Sequence, residues 1–191
     1  MEKKRCDWCL GSDLYMNYHD NEWGVPVHDD KVHFEFLVLE SAQAGLSWIT
    51  ILKRREHYRR LYDDFNVEKV ARYENRRIDM MLQDPGIIRN RKKIEASVNN
   101  AQCFLEIVEK YGSFDNYTWN FTDGEAIVNH WRSLDEVPAN TSLSNRITKD
   151  MKQHGFRFLG TTILYAHLQS IGVVNDHLVD CFRHQEVNRV T

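Results

Sequence analysis

The chain has 191 residues, 42% of them hydrophobic, with nine glycines and three prolines. That balance fits an ordered globular protein of one domain or two small lobes and excludes a disordered or fibrous chain. A formal net charge of −3 argues against binding nucleic acid with the whole surface, so such a partner would need a local basic patch.

In chain order, residues 1–6 place no apolar stretch behind their charges, which predicts no signal peptide. Asp29-Asp30 is placed to cap a helix that carries Phe36-Leu37-Val38-Leu39 and stops at Gly45. Ser47 is placed to cap the next, from 48 to about 62. Another is expected from about 67 to 83, broken by Asp84-Pro85-Gly86. The clearest helix follows. Ile94, Val98, Ala101, Leu105 and Val108 step by four and three residues, and Gly112 suits its end. A loop-rich stretch with Gly124, Pro138 and Thr141-Ser142 leads to a helix ending at Gly155. Gly160-Thr161-Thr162 opens another, ending near Gly172. Asn175-Asp176 is read as the cap of a last short helix holding His177 and Cys181. Strand signals are weak and no apolar run is long enough for a membrane span, so an all-α protein is expected, with its N- and C-terminal helices packed together.

Three clusters of residues carry chemistry. Cys6 and His19 stand near one end, and His177 and Cys181 near the other, spaced i, i+4 so that a helix would put both on one face. They form a Cys2His2 set suited to a closed tetrahedral zinc site, although zinc-finger spacing is not matched and the four residues equally fit unrelated roles. Cys9, three residues after Cys6, is an alternative ligand, whereas Cys103 is expected to pack. Four cysteines are too sparse for a disulfide scaffold and point to a reducing compartment, the cytoplasm.

The second cluster is Asp84-Pro85-Gly86-Ile87-Ile88-Arg89-Asn90-Arg91-Lys92-Lys93, a helix end, a tight turn and a helix start. This reads as a helix-hairpin-helix, spanning about 74–110, whose backbone N–H groups would face a DNA phosphate. Its four cations oppose the helix dipole, and a phosphate would explain them; a solvated helix end is the plain alternative. A second basic run, Lys53-Arg54-Arg55 and Arg59-Arg60, needs only the dipole of its own helix.

The third is Glu40, a carboxylate beside the apolar run 36–39, accompanied by dense aromatic residues: Trp8, Tyr15, Tyr18, Trp23 and Trp48. A carboxylate there is either functional or turned to water. Aromatic faces stack flipped bases, and also fill ordinary cores.

Together these residues resemble the bacterial 3-methyladenine DNA glycosylase I family, often called Tag. The resemblance runs from Cys6 to Cys181. It is carried by 18–26 (Tyr-His-Asp-Asn-Glu-Trp-Gly-Val-Pro), 43–50 (Gln-Ala-Gly-Leu-Ser-Trp-Ile-Thr), 84–89 (Asp-Pro-Gly-Ile-Ile-Arg), 160–162 (Gly-Thr-Thr) and 174–177 (Val-Asn-Asp-His). It implies a helix-hairpin-helix glycosylase fold over 1–191, with one structural zinc held by Cys6, His19, His177 and Cys181. It implies Glu40 as the pocket carboxylate, Tyr18 and Trp48 as stacking residues, and Trp8 and Trp23 as lining. Leu46 resembles the side chain that fills the gap left by a flipped nucleotide, with Gln43 beside it. Gly86, Ile88, Arg89 and Arg91 would face the backbone of double-stranded DNA carrying alkylated bases. Asn90 occupies the approximate position of the hairpin lysine in strand-nicking relatives, so hydrolysis that releases free 3-methyladenine is expected without strand cleavage. A monomer is expected. The rivals are a non-catalytic DNA-binding module, a zinc hydrolase, which lacks its His-Glu-x-x-His here, and an iron–sulfur glycosylase, which would need four clustered cysteines.

Overall fold

In a computed structural model the described residues are 3–187, and helices supply nearly all of their regular structure. After a single tight turn at Asp7–Cys9, helix α1 (Asp13–Asn21) leads to α2 (Asp30–Gln43). All ten residues from His33 to Ala42 are buried, so α2 is the central helix around which the others pack. Its ends are capped as its sequence suggests. The Asp29 carboxylate accepts from Lys31 N at 2.8 Å, and Gly45 turns the chain at φ +82°.

The expected helix from 48 to 62 is two helices, α3 (Trp48–Leu52) and α4 (Arg55–Leu61). The turn at Lys53-Arg54 redirects the chain so that Arg55 and Arg59 both reach Glu35 of α2. Arg55 also bonds Glu22 at 2.5 Å. Internal ion pairs, not the helix dipole, account for these two cations. The helix expected over 67–83 is likewise divided, into α5 (Val67–Val70) and α6 (Asn75–Met81). Before α5, three successive residues, Asp63, Asp64 and Phe65, lie in the left-handed region. That turn is disfavoured for L-residues and is held by burial of Phe65 and by Tyr73 and Arg77 bonding Asp63.

Helix α7 (Arg91–Tyr111) starts where expected, with Asn90 accepting from Lys93 N at 3.2 Å, and ends at Gly112 with φ +86°. The next stretch, expected to be loop, contains α8 (Phe114–Trp119). Its start is fixed by the Asp30 carboxylate, which accepts from the backbone N–H of Phe114 and Asp115, a partner 84 residues away that local sequence does not reveal. Then come β1 (Ile127–Val128), α9 (Ser142–Gln153), which has a Thr141/Ser144 capping box, and α10 (Thr161–Ser170). The short strand β2 (Val174–Asn175) pairs with β1 in parallel, and α11 (Phe182–Glu186) follows.

The short helix expected to hold His177 and Cys181 does not form, and α11 begins only after Cys181. Asn175 and Asp176 do not cap a helix. Asn175 Oδ1 accepts from His177 N in a side-chain turn, and the Asp176 carboxylate is taken up by four other side chains. Among the described residues, no helix is long and apolar enough to cross a membrane.

Candidate functional site

Two features sit side by side, a cavity and a cluster of side chains that could hold a metal ion. The cavity, of about 230 Å³, is lined by Trp8, Tyr15, Tyr18, Trp23, Glu40, Gln43 and Trp48 from the first 48 residues. Ala166, Gln169 and Ser170 of α10, with Leu134, Val137 and Asp176, complete its wall. Tyr18 and Trp48 are neighbouring walls in direct contact, with ring centroids 5.6 Å apart and planes tilted by 52°. Trp8 packs edge-on against Tyr15 and Trp23, each at 4.9 Å.

Glu40 is buried in this wall. Its Oε1 accepts from Ser170 Oγ at 2.8 Å, and that hydroxyl in turn accepts from Tyr18 OH at 3.1 Å. Its Oε2 is buried with no partner among the described residues, and so is Trp48 Nε1. An unpartnered buried carboxylate oxygen costs roughly 1–3 kcal/mol or more, which marks it as the place for a ligand's donor. Burial pushes the Glu40 carboxyl up to about 8, so it keeps its proton at neutral pH. A cation entering the cavity would favour the ionised form.

The four sequence-distant donors converge. The ligand atoms of Cys6, His19, His177 and Cys181 all lie within 4.8 Å of one another, and all four residues are buried. Cys181 Sγ is 3.4 Å from His19 Nε2 and 3.6 Å from His177 Nδ1, and Cys6 Sγ is 3.9 Å from His177 Nδ1. The remaining ring nitrogens are turned outward to acceptors. His19 Nδ1 meets Asp20 Oδ1 at 2.8 Å, and His177 Nε2 meets the Trp23 carbonyl at 3.0 Å. Those partners fix each ring so that its inner nitrogen presents a lone pair, the usual outer shell of a metal-bound histidine. The hydrogen bond between the two sulfurs holds the Cys6 thiol up and the Cys181 thiol down, and burial lowers His177, keeping it neutral. Gly24 permits this packing, because a Cβ there would lie 2.9 Å from His177 Nε2. Cys9 is outside the cluster and donates its S–H to the Cys6 carbonyl, while Cys103 is packed beside Gly155.

A model of the methyladenine glycosylase family matches residues 8–184. The chain belongs to that family. It is 44% identical over 178 residues to DNA-3-methyladenine glycosylase 1 of Escherichia coli (strain K12), covering 93% of this chain and 95% of that one. A crystal structure of 3-methyladenine DNA glycosylase I (TAG) superposes with a TM-score of 0.90 at 44% identity, over 94% of this chain and 98% of that one. A structure describing 3-methyladenine recognition by the Staphylococcus aureus TAG also has a TM-score of 0.90, at 39% identity over 93% of this chain and 95% of that one.

Within this methyladenine glycosylase the hairpin differs from its sequence reading. Gly86 N donates to Asp84 Oδ1 at 2.7 Å and Ile88 N to Tyr58 OH at 3.1 Å, so neither amide is available to a phosphate. A Cβ at Gly86 would lie 2.3 Å from His57 Nδ1, so a side chain there would displace His57. Of the four hairpin cations, Arg91 pairs with Asp79 and Glu95. Lys93 Nζ donates to the carbonyls of Ala42 and Ala44, each at 2.8 Å, closing the C-terminus of α2. Arg89 and Lys92 remain exposed, with no ion-pair partner among the described residues. Leu46 is 41% exposed on the turn just beyond Gln43. The sequence reading missed Ala166, Gln169, Ser170, Leu134, Val137 and Asp176 as cavity residues. Asp176 lies within the telling stretch 174–177 but reads there as a helix cap.

Proposed function

We propose that this chain is a monofunctional DNA-3-methyladenine glycosylase of base-excision repair, flipping 3-methyladenine out of double-stranded DNA and removing it by hydrolysis. The observation that carries this reading is the free, buried Oε2 of Glu40 in an aromatic-walled cavity, within a fold that matches named glycosylases over nearly all of its length.

Methylation at N3 gives adenine a positive charge and weakens its glycosidic bond, so the leaving base needs no added proton. Recognition then supplies most of the selectivity. Tyr18 and Trp48 offer apolar faces to the ring, with Trp8 and Trp23 closing the cavity behind. Glu40 Oε2 accepts from the exocyclic amine, while Ser170 and Tyr18 hold Oε1 and orient the carboxylate. Arrival of the cationic base favours the ionised carboxylate, and the proton that burial keeps on Glu40 is released to solvent water. Leu46 and Gln43 occupy the side facing the duplex. Arg89 and Lys92, with the α7 N-terminus, hold phosphate. Arg91 is ion-paired and contributes less.

The Cys2His2 cluster fits one structural zinc. Around a zinc with sulfur at ~2.3 Å and nitrogen at ~2.0 Å, tetrahedral edges are roughly 3.3–3.8 Å. The three sulfur–nitrogen distances of 3.4, 3.6 and 3.9 Å lie close to that range. With four protein donors the site is closed, so its contribution is cohesion of the two chain ends, not chemistry at the sugar. Cavity and cluster each draw on residues from both ends of the chain, which supports a single folded unit. Four buried cysteines with no disulfide among them fit the cytoplasm.

The test is mass-spectrometric identification of bases released from methylated duplex DNA. Release of 3-methyladenine with intact strands is expected, and strand nicking or no release would refute the reading.

A further inference from the structure

Asp176 is buried, lines the cavity and directly precedes His177. Its oxygens are fully engaged. Oδ1 accepts from Asn129 Nδ2 and Trp131 Nε1, each at 2.7 Å, and Oδ2 from Tyr165 OH at 2.5 Å and Gln169 Nε2 at 2.6 Å. Four donors leave the carboxylate no lone pair for a ligand or a transferred proton. It therefore serves neither as a base nor as a direct contact, and its effect lies in what it holds.

It holds two walls. Asn129 and Trp131 belong to the strap after β1, whose Leu134 and Val137 line the cavity. That strap is tied to the same loop by backbone, through Asn129 N to Asn175 O at 3.1 Å and Val179 N to Trp131 O at 2.9 Å. Tyr165 and Gln169 belong to α10, which also carries the Ser170 hydroxyl that orients Glu40. One carboxylate thus ties the strap, α10 and the loop carrying His177 to one another.

We infer that Asp176 is a positioning residue that sets the cavity's width, and so its choice of base, by clamping the strap to α10. This rests on the glycosylase reading. Charge-assisted hydrogen bonds to one buried carboxylate are short and directional, so they fix the separation of the two walls. Asparagine has the same shape but would turn an N–H2 group toward two of the donors, loosening one wall.

The experiment compares wild type with Asp176→Asn and Trp131→Phe. The first alters the hub, and the second removes one donor while keeping a ring. Single-turnover release of 3-methyladenine and 3-methylguanine from methylated duplex DNA is timed, and zinc per chain is measured on the same samples. Asp176→Asn should slow 3-methyladenine release by tenfold or more and lower the ratio of the two rates, with zinc retained at the wild-type level. Trp131→Phe should lower the ratio in the same direction by less. Should Asp176→Asn not fold, the ratio in Trp131→Phe decides. An unchanged ratio in a wild-type-active background overturns the clamp alone. Loss of zinc in step with activity overturns it in favour of an effect through the metal ligands. Wild-type protein that releases neither base overturns the glycosylase reading itself, and the clamp with it.

Discussion

Glu40→Gln should move stability and catalysis in opposite directions. Burial lifts the Glu40 carboxyl from 4.5 to about 8. Between those two values the folded protein keeps a proton that the unfolded chain has released. Stability from this group is therefore fully present below pH 4.5 and is lost as pH rises toward 8. At about 1.4 kcal/mol for each pH unit, the loss totals about 5 kcal/mol, with about 3 kcal/mol of it reached by pH 7. Glutamine carries no such proton and still offers Ser170 an acceptor. At about 2–4 °C per kcal/mol for a chain of this size, the variant should melt several degrees above wild type at pH 7.5, with the gap closing near pH 5. Catalysis should fall. The carboxylate accepts the amine of adenine but opposes the carbonyl oxygen that guanine places there, a mismatch of roughly 1–3 kcal/mol or about tenfold to a hundredfold in discrimination. An amide can rotate to offer a donor, so Glu40→Gln should slow 3-methyladenine release and lose part of its preference over 3-methylguanine. Calorimetry from pH 5 to 8.5 and single-turnover release of both bases read the two effects. A melting gap independent of pH, or an unchanged rate ratio, would refute the reasoning.

His177→Ala should lose zinc and lower the melting temperature, while Cys9→Ala should keep one zinc per chain by metal analysis, because Cys9 Sγ faces the Cys6 carbonyl. Replacing Arg89 and Lys92 together with Ala should weaken DNA binding regardless of sequence and flatten its salt dependence by about two in the log–log slope, leaving free 3-methyladenine binding unchanged in a titration. Arg91→Ala should do less, since Arg91 is already paired with Asp79 and Glu95. Lys93→Met removes the donors that close α2 just ahead of Leu46. It should reduce base flipping, read by fluorescence of a 2-aminopurine placed beside the lesion, with free-base affinity preserved; an unaltered flipping signal would count against a link between hairpin and turn.

What was legible in the sequence divides along physical lines. The apolar periodicity of α7 and the cap at Asp29 depend on neighbours in the chain, and they appear close to where local rules put them. Glu40, beside its apolar run, leaves two readings open in the sequence, and the family resemblance chooses the pocket. The pairing of His177 with Cys181 was reached from a helical spacing that is not there. Their donors meet through a side-chain turn at Asn175 and the bend at Leu178, where Cys181 N bonds the Leu178 carbonyl. Residues whose partners are distant misled local reasoning. Read locally, Arg55 serves its own helix and Lys93 awaits a phosphate, but Arg55 answers Glu35 and Glu22, and Lys93 closes α2. Asp176 reads as a cap because nothing nearby announces Asn129 or Trp131, 47 and 45 residues earlier.

The Cys/His cluster also dictates when the protein can begin to work. Cys6 and His177 are 171 residues apart, and His19 and Cys181 are 162 apart. At about 5–20 residues per second, a ribosome needs on the order of ten seconds or more to produce the second pair after the first. During that interval Trp8, Tyr15, Tyr18 and Trp23 are already made, but they lack the loop that seats His177 against the Trp23 carbonyl and the α10 hydroxyl that orients Glu40. A nascent chain therefore carries every aromatic wall of the cavity without a cavity. Those exposed rings are its hazard for misfolding, and contacts this distant in sequence make closure a late step.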